Sequence, residues 1–154
     1  MEQKITPISI YIGLLGLVTL AFGLADIFVW AGVSPGLQVG IIEIAGDDFF
    51  RWAWGGFIMA CAGLFMLSGC TRVTTLQQSG KVVLGGALVW LIAGTDIFAL
   101  LCAGIPAEEA SPAFFNSLSG FLAGFAPPYT PAMVLLPFTL GILYLIRVRD
   151  ADDS

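Results

Sequence analysis

Asp26 and Asp96 each stand in an apolar run that carries no other charge. A carboxyl at the centre of a membrane helix costs on the order of 2.5–3.5 kcal/mol on insertion scales, so each needs a partner, water or a proton. The chemistry open to such a pair is proton uptake and release, or the holding of a cation. Arg51 opens a later apolar run and is the basic residue placed to neutralise them. One guanidinium serves two carboxylates only if they share it. The purely structural alternative is that each carboxyl is protonated or hydrogen-bonded to a neighbouring helix.

Little else in the chain is reactive. There is no histidine, which removes the usual axial ligands of haem b and the ordinary imidazole acid–base catalyst. Cys61, Cys70 and Cys102 show no C-x-x-C spacing and are expected to pack as small apolar side chains. Glu43, Asp47 and Asp48 could hold a divalent ion with Asp26, but a solvated acidic loop accounts for them more simply. The chain lacks a phosphate-binding glycine loop, a nucleophile elbow and a metal-ligand helix motif. Lysine and arginine are too few for nucleic-acid binding. No enzymatic activity, cofactor or metal centre is expected.

These residues need helices in lipid to position them. Hydrophobic residues make up 58% of the chain and charged residues 11%, with a mean hydropathy of +0.94. A soluble domain carries roughly 45–50% apolar and about 25% charged residues. At 154 residues the chain is one domain, and lipid must cover the surplus apolar surface. The apolar stretches are continuous, not alternating, so helices are expected over a β-barrel. The expected fold is an all-α integral membrane protein of four transmembrane helices, spanning about residues 8–33, 51–69, 82–105 and 132–148. The first run is too long for a signal peptide's apolar core and is expected to be retained. Between Pro106 and Pro131, Phe114, Phe115, Leu118, Phe121, Leu122 and Phe125 recur at helical spacing, as in a short interfacial helix before span four. Pro137 should kink that last span.

Basic residues set the expected orientation. Lys4, Arg72, Lys81, Arg147 and Arg149 fall on the side of the termini and the middle connection, and Arg51 alone falls on the other. The positive-inside rule then puts both termini in the cytoplasm of a multi-pass cell-membrane protein. Trp30, Trp52 and Trp54 gather at the outer boundary.

Gly23-Leu24-Ala25-Asp26-Ile27-Phe28 in span one is echoed by Gly94-Thr95-Asp96-Ile97-Phe98 in span three, 70 residues later at the aspartates. Phe49-Phe50 and Phe114-Phe115 form a weaker echo. The order and spacing suggest tandem duplication of a two-helix hairpin, with spans one and three running in parallel. The aspartates then lie at similar depth, roughly 10–14 Å inside the outer span ends by helix rise.

Small residues on the spans, Gly13, Gly16, Gly55, Gly56, Ala60, Gly63, Gly85, Gly86, Ala93 and Gly94, allow close helix approach where dispersion replaces the hydrophobic drive. They would serve packing within the bundle or contact with a partner subunit. Gly63-Leu64-Phe65-Met66-Leu67-Ser68-Gly69-Cys70-Thr71-Arg72 resembles the end of the second span in DoxX-like four-helix membrane proteins. The resemblance implies a four-span architecture and, for some members, association with membrane redox complexes; it carries over no site residue.

The leading functional expectation is a non-catalytic accessory or packing subunit, partnered by the lipid bilayer and by a membrane protein or further copies of itself. The alternatives are a small proton- or cation-linked transporter or channel component using Asp26 and Asp96 with Arg51, and a redox-associated subunit.

Overall fold

The computed structural model describes residues 6–73, 75–103, 122 and 125–152. Four helices dominate them: α1 (Pro7–Trp30), α2 (Gly55–Gly69), α3 (Leu76–Ala103) and α4 (Pro131–Asp152). α2 is extended at its start by a π-helical turn, Phe49–Trp54, and at its end by a 3-10 turn, Cys70–Arg72. Three helices are long and apolar enough to cross a membrane: Pro7–Trp30, Phe49–Gly69 and Leu76–Cys102. In α4 the apolar stretch is shorter, Pro131–Tyr144.

The ends of α1 follow from local chemistry. Thr6 caps the start, its hydroxyl oxygen accepting from the Ser9 N–H at 3.2 Å, and Pro7 sits where a missing N–H costs nothing. The helix stops at Trp30, three residues short of the expected limit. Gly32 takes a φ of +70°, while the Val33 and Gly32 N–H groups fold back to the Phe28 and Val29 carbonyls. That is a Schellman closure, and it ends a helix inside apolar sequence. α3 starts earlier than expected, at Leu76, because Gln77, Gln78, Ser79, Gly80 and Lys81 are polar yet helical.

The stretch after α1 departs from the all-α expectation. Leu37–Val39 (β1) and Ile42–Ile44 (β2) pair antiparallel, with Val39 opposite Ile42. Gly40, at φ +60°, has the sign that a two-residue II′ turn needs at its first position. β2 then pairs in parallel with Tyr129, just before α4: Tyr129 N–H donates to the Ile41 carbonyl at 2.7 Å and Glu43 N–H to the Tyr129 carbonyl at 3.0 Å. The interfacial helix expected within 106–131, and the Phe114-Phe115 echo, lie outside the described residues apart from Leu122 and 125–131.

The helices run up and down in sequence order. α1 packs on α2, α2 on α3 and α3 on α4, with α4 returning to α1. On the α1–α2 seam, Gly16 and Gly23 face Gly63 and Gly56, seven residues apart on each helix. A seven-residue step returns to the same face after two turns. α3 approaches α2 at Gly85, whose added Cβ would meet the Ala62 carbonyl oxygen at 2.7 Å. Ile12, Met59, Met66, Val82, Val89 and Ile142 fill the interior. The helices' outer faces are exposed leucine, phenylalanine and valine.

Two polar ties cross to α4. Tyr11 Oη donates to the Phe138 carbonyl at 2.8 Å, and Trp90 Nε1 donates to Thr139 Oγ1 at 2.9 Å. A double-mutant cycle on Trp90→Phe and Thr139→Val should return a coupling of about 0.6–1.7 kcal/mol, the range for side-chain bonds between membrane helices. Additive losses in detergent-unfolding midpoints would mean that the bond carries nothing.

Burial repeats along the chain. The six buried positions of α1, Ile12, Leu15, Gly16, Thr19, Gly23 and Asp26, each lie 70 residues before a buried position of α3: Val82, Gly85, Gly86, Val89, Ala93 and Asp96. Likewise Gly56, Met59, Gly63 and Met66 of α2 each lie 76 residues before Ala132, Leu135, Thr139 and Ile142 of α4.

Candidate functional site

The two aspartates hold the same place in that pattern, as the last buried residue of their helices, among those described, before the hairpin end of the bundle. Asp26 is 5% exposed and Asp96 9%. They lie within electrostatic reach of each other. Their surroundings differ.

Asp96 is held from two sides. Thr130, the residue before α4, donates its hydroxyl to Asp96 Oδ2. Arg51 Nε lies 3.9 Å from Asp96 Oδ1. Asp26 packs its Cβ against α2 at Gly56, where an added Cβ would come within 2.8 Å of it. The Asp26 Oδ1 atom is buried and has no hydrogen-bond partner. The 76-residue register accounts for the difference. Counterparts of Thr130 and Arg51 for Asp26 would be Trp54 and Pro127. Trp54 is exposed and stacks on Phe57 at 6.1 Å between ring centroids, and proline has no N–H to give.

Local structure aims Arg51. Asp48 Oδ1 accepts the Arg51 backbone N–H at 2.9 Å and so starts the π-helical turn. A π turn carries an extra residue per turn and rotates the side chains beyond it, a distortion frequent at functional sites. It turns Trp52 inward, to 5% exposure, and brings Arg51 beside α3. The Arg51 guanidinium sits 5.2 Å from the centroid of the Trp52 ring, a cation–π distance.

Arg51 borders two cavities. One, about 260 Å³, is lined by Asp48, Phe50, Arg51, Thr95, Asp96 and Ala99. The other, about 130 Å³, is lined by Glu43, Ala45, Arg51, Trp52, Pro128, Tyr129 and Thr130. Either has room for a few waters. Asp96 faces one and Glu43 the other.

The structure therefore brings Arg51 to Asp96 and sets Asp26 near Asp96, with no ion pair between Asp26 and Arg51 among the described residues. Thr130 and Trp52 join them, and neither stands out in the sequence as a site residue. Threonine directly before a proline that opens a helix is the signal that could have found Thr130. Of the small residues named for packing, Gly56, Gly63 and Gly85 sit against neighbouring backbone, as does Gly16, and Ala60 lies opposite Gly23. A Cβ added at Gly55 would make ordinary contacts, and one added at buried Gly86 would meet Trp90 of its own helix. Gly94 is exposed, with nothing within 4 Å of an added Cβ. Among the described residues no three His, Cys, Asp or Glu side chains form a metal-holding group, so Glu43, Asp47 and Asp48 are not assembled with Asp26 into one. Cys61, Cys70 and Cys102 are free thiols.

No protein-family model matches the chain, and no curated protein and no solved structure matches it. The geometry of the carboxyl pair is thus the ground for a functional reading.

Proposed function

We propose that the chain is a four-span integral membrane protein, made of two copies of a helical hairpin with both termini in the cytoplasm, that binds a proton at the Asp26–Asp96 pair. It would work as a small proton-linked transporter or channel component. The observation that carries this reading is the Asp26 Oδ1 atom, buried without a hydrogen-bond partner beside an aspartate that already holds Arg51 and Thr130. A buried carboxylate left unpaired is expensive in a low-dielectric interior. A proton removes that cost without any coordination shell. A metal cation would need several oxygens around it. Two carboxyls and one guanidinium leave room for one positive charge.

The matching burial of α1 with α3 and of α2 with α4 supports the duplication, and the five-to-one bias of basic residues supports the orientation. The hairpin end then faces outward. The accessory-subunit reading, which leads on sequence, drops to second. Its main support is the small-residue faces, and Gly16, Gly23, Gly56, Gly63 and Gly85 are occupied by packing within the bundle.

The test is proton flux. Purified protein in vesicles loaded with a pH-reporting dye, driven by a potassium diffusion potential, should pass protons faster than empty vesicles. Asp26→Asn and Asp96→Asn should each lower that flux to near the rate of empty vesicles, since an amide cannot relay a proton as a carboxyl does. Flux that is the same in both variants as in the parent would sink the proposal.

A further inference from the structure

We infer that the tip of the β1–β2 hairpin is a lipid-binding element: Val39 and Ile41 lie in the outer-leaflet interface, and a phospholipid acyl chain fills the groove between Ile41 and α4. The inference rests on the four-span part of the reading above and is independent of the proton site.

The hairpin has two unlike faces. Side chains alternate along a strand, so the pairs Leu37–Ile44 and Val39–Ile42 share one face, while Gln38 lies opposite Glu43 on the other. At the root Ile44 is fully buried. At the tip Val39 is 57% exposed and Ile41 51%. Ile41 also walls a groove of about 460 Å³ with Tyr129, Met133, Val134, Pro137 and Phe138. The Tyr129 hydroxyl, the one side-chain oxygen on that wall, donates to the Phe125 carbonyl, so the side chains offer an occupant apolar surface alone. The groove runs on through Pro137 into the exposed flank of α4, where Pro137, Leu140 and Tyr144 recur at three- and four-residue spacing on one face. An acyl chain lying along that flank enters the groove at its outer end.

Span length supplies the reason for such a device. The charge-free run of α4 goes from Pro131 to Ile146 and ends at Arg147. At 1.5 Å per residue it rises about 24 Å, short of a ~30 Å hydrocarbon core. The positive-inside rule sets Arg147 and Arg149 at the inner boundary, so the shortfall falls at the outer end. There two backbone bonds fasten the hairpin to Tyr129, just before α4, and bring its apolar tip to the level where the span runs out. Backbone bonding limits the depth. β1 is the free edge of the two-stranded sheet, and open sheet edges do not occur within the hydrocarbon. The hairpin therefore lies at the boundary, its apolar tip toward the acyl chains and Gln38 and Glu43 toward water. Glu43 lines the smaller cavity beside Arg51, and this level leaves that cavity wet.

The experiment uses full-length protein with Cys61, Cys70 and Cys102 replaced by alanine and one new cysteine carrying a nitroxide, reconstituted in palmitoyl-oleoyl phosphatidylcholine vesicles. Power-saturation EPR compares collisions with oxygen, which concentrates in lipid, and with a nickel chelate, which stays in water. The oxygen-to-nickel ratio for Val39→Cys should exceed that for neighbouring Gln38→Cys several-fold, and Val134→Cys, in the groove wall, should be higher still. A Val39→Cys ratio equal to that of Gln38→Cys puts the tip in water and overturns the inference. So does a Val134→Cys label open to nickel, which means water in the groove. A Val134→Cys label immobilised and shielded from both reagents also overturns it, because protein then fills the groove, from a second copy or from another part of this chain. Ile41→Cys takes the place of Val39→Cys should that variant fold poorly. Leu140→Cys, on the exposed flank of α4, separates the two readings: a high ratio there with a low one at Val39→Cys removes the lipid element alone, and a low ratio there removes the fourth span.

Discussion

Gly23→Ala, the addition of one methyl group, is expected to cost the protein most of its folded yield. The new carbon would lie 2.4 Å from the Ala60 nitrogen, 2.7 Å from the Gly56 oxygen and 2.9 Å from the Met59 carbonyl carbon. All three are backbone atoms of α2, which cannot rotate aside as a side chain can. The helices must separate along the seam, and the contacts of Gly16 with Gly63 loosen with them. Overpacking typically costs about 1–3 kcal/mol, and a clash with backbone on a membrane seam built on close approach belongs at or above the top of that range. Gly94→Ala is the contrasting change. Nothing lies within 4 Å of its added carbon, and alanine in a helix is favoured over glycine by about 0.5–1 kcal/mol. Monodisperse yield and thermal midpoint in detergent should fall sharply for the first and hold or rise for the second. A Gly23→Ala protein as stable as the parent would refute the seam.

Asp26→Leu should make the protein more stable, and Asp96→Leu should make it less so. Leucine has the branched outline of aspartate without its polar atoms. At Asp26 it removes a buried oxygen that nothing satisfies, and replacing such a group by an apolar one of similar shape regains part of a desolvation penalty of about 1–3 kcal/mol. At Asp96 the same change strands the Thr130 hydroxyl and takes from Arg51 its partner. Deleting one member of the buried Thr130–Asp96 hydrogen bond is the expensive direction, because the other is left unsatisfied. The two midpoints should move apart although the residues occupy equivalent places on α1 and α3. If both variants shift in the same direction, the asymmetry between the two carboxyls has no energetic meaning. A stabilised Asp26→Leu that has lost proton flux would be the pattern of a residue kept for its work despite its cost.

Hydropathy makes the apolar helices legible, because lipid demands long uninterrupted runs. It misplaces their limits where polarity and backbone bonding part company. Gln77 to Lys81 are polar and helical, so hydropathy puts the start of α3 at Val82, and the closure at Gly32 ends α1 within apolar residues. The strands escape a reading of the sequence although Leu37-Gln38-Val39 and Ile42-Glu43-Ile44 alternate about Gly40, because two three-residue strands are outweighed by any helical run nearby. Asp26 and Asp96 are visible from sequence since a charge among apolar residues announces itself. Thr130 is not, because its partner lies 34 residues away on another helix and a lone threonine beside prolines has many ordinary uses. The π turn that aims Arg51 is also hidden, as it depends on a bonding choice that Phe49-Phe50-Arg51-Trp52 does not advertise.

The pairing of β2 with Tyr129 has a mechanical meaning. Two backbone bonds, from Tyr129 to Ile41 and from Glu43 to Tyr129, pin the loop of the first helical pair to the root of the second. Joined there, the two pairs are fastened at both ends, because at the opposite end the short connection from Arg72 to Leu76 joins α2 to α3. A motion that parts the pairs must therefore break the backbone bonds beside Arg51, and it is opposed again where Tyr11 of α1 bonds the Phe138 carbonyl of α4.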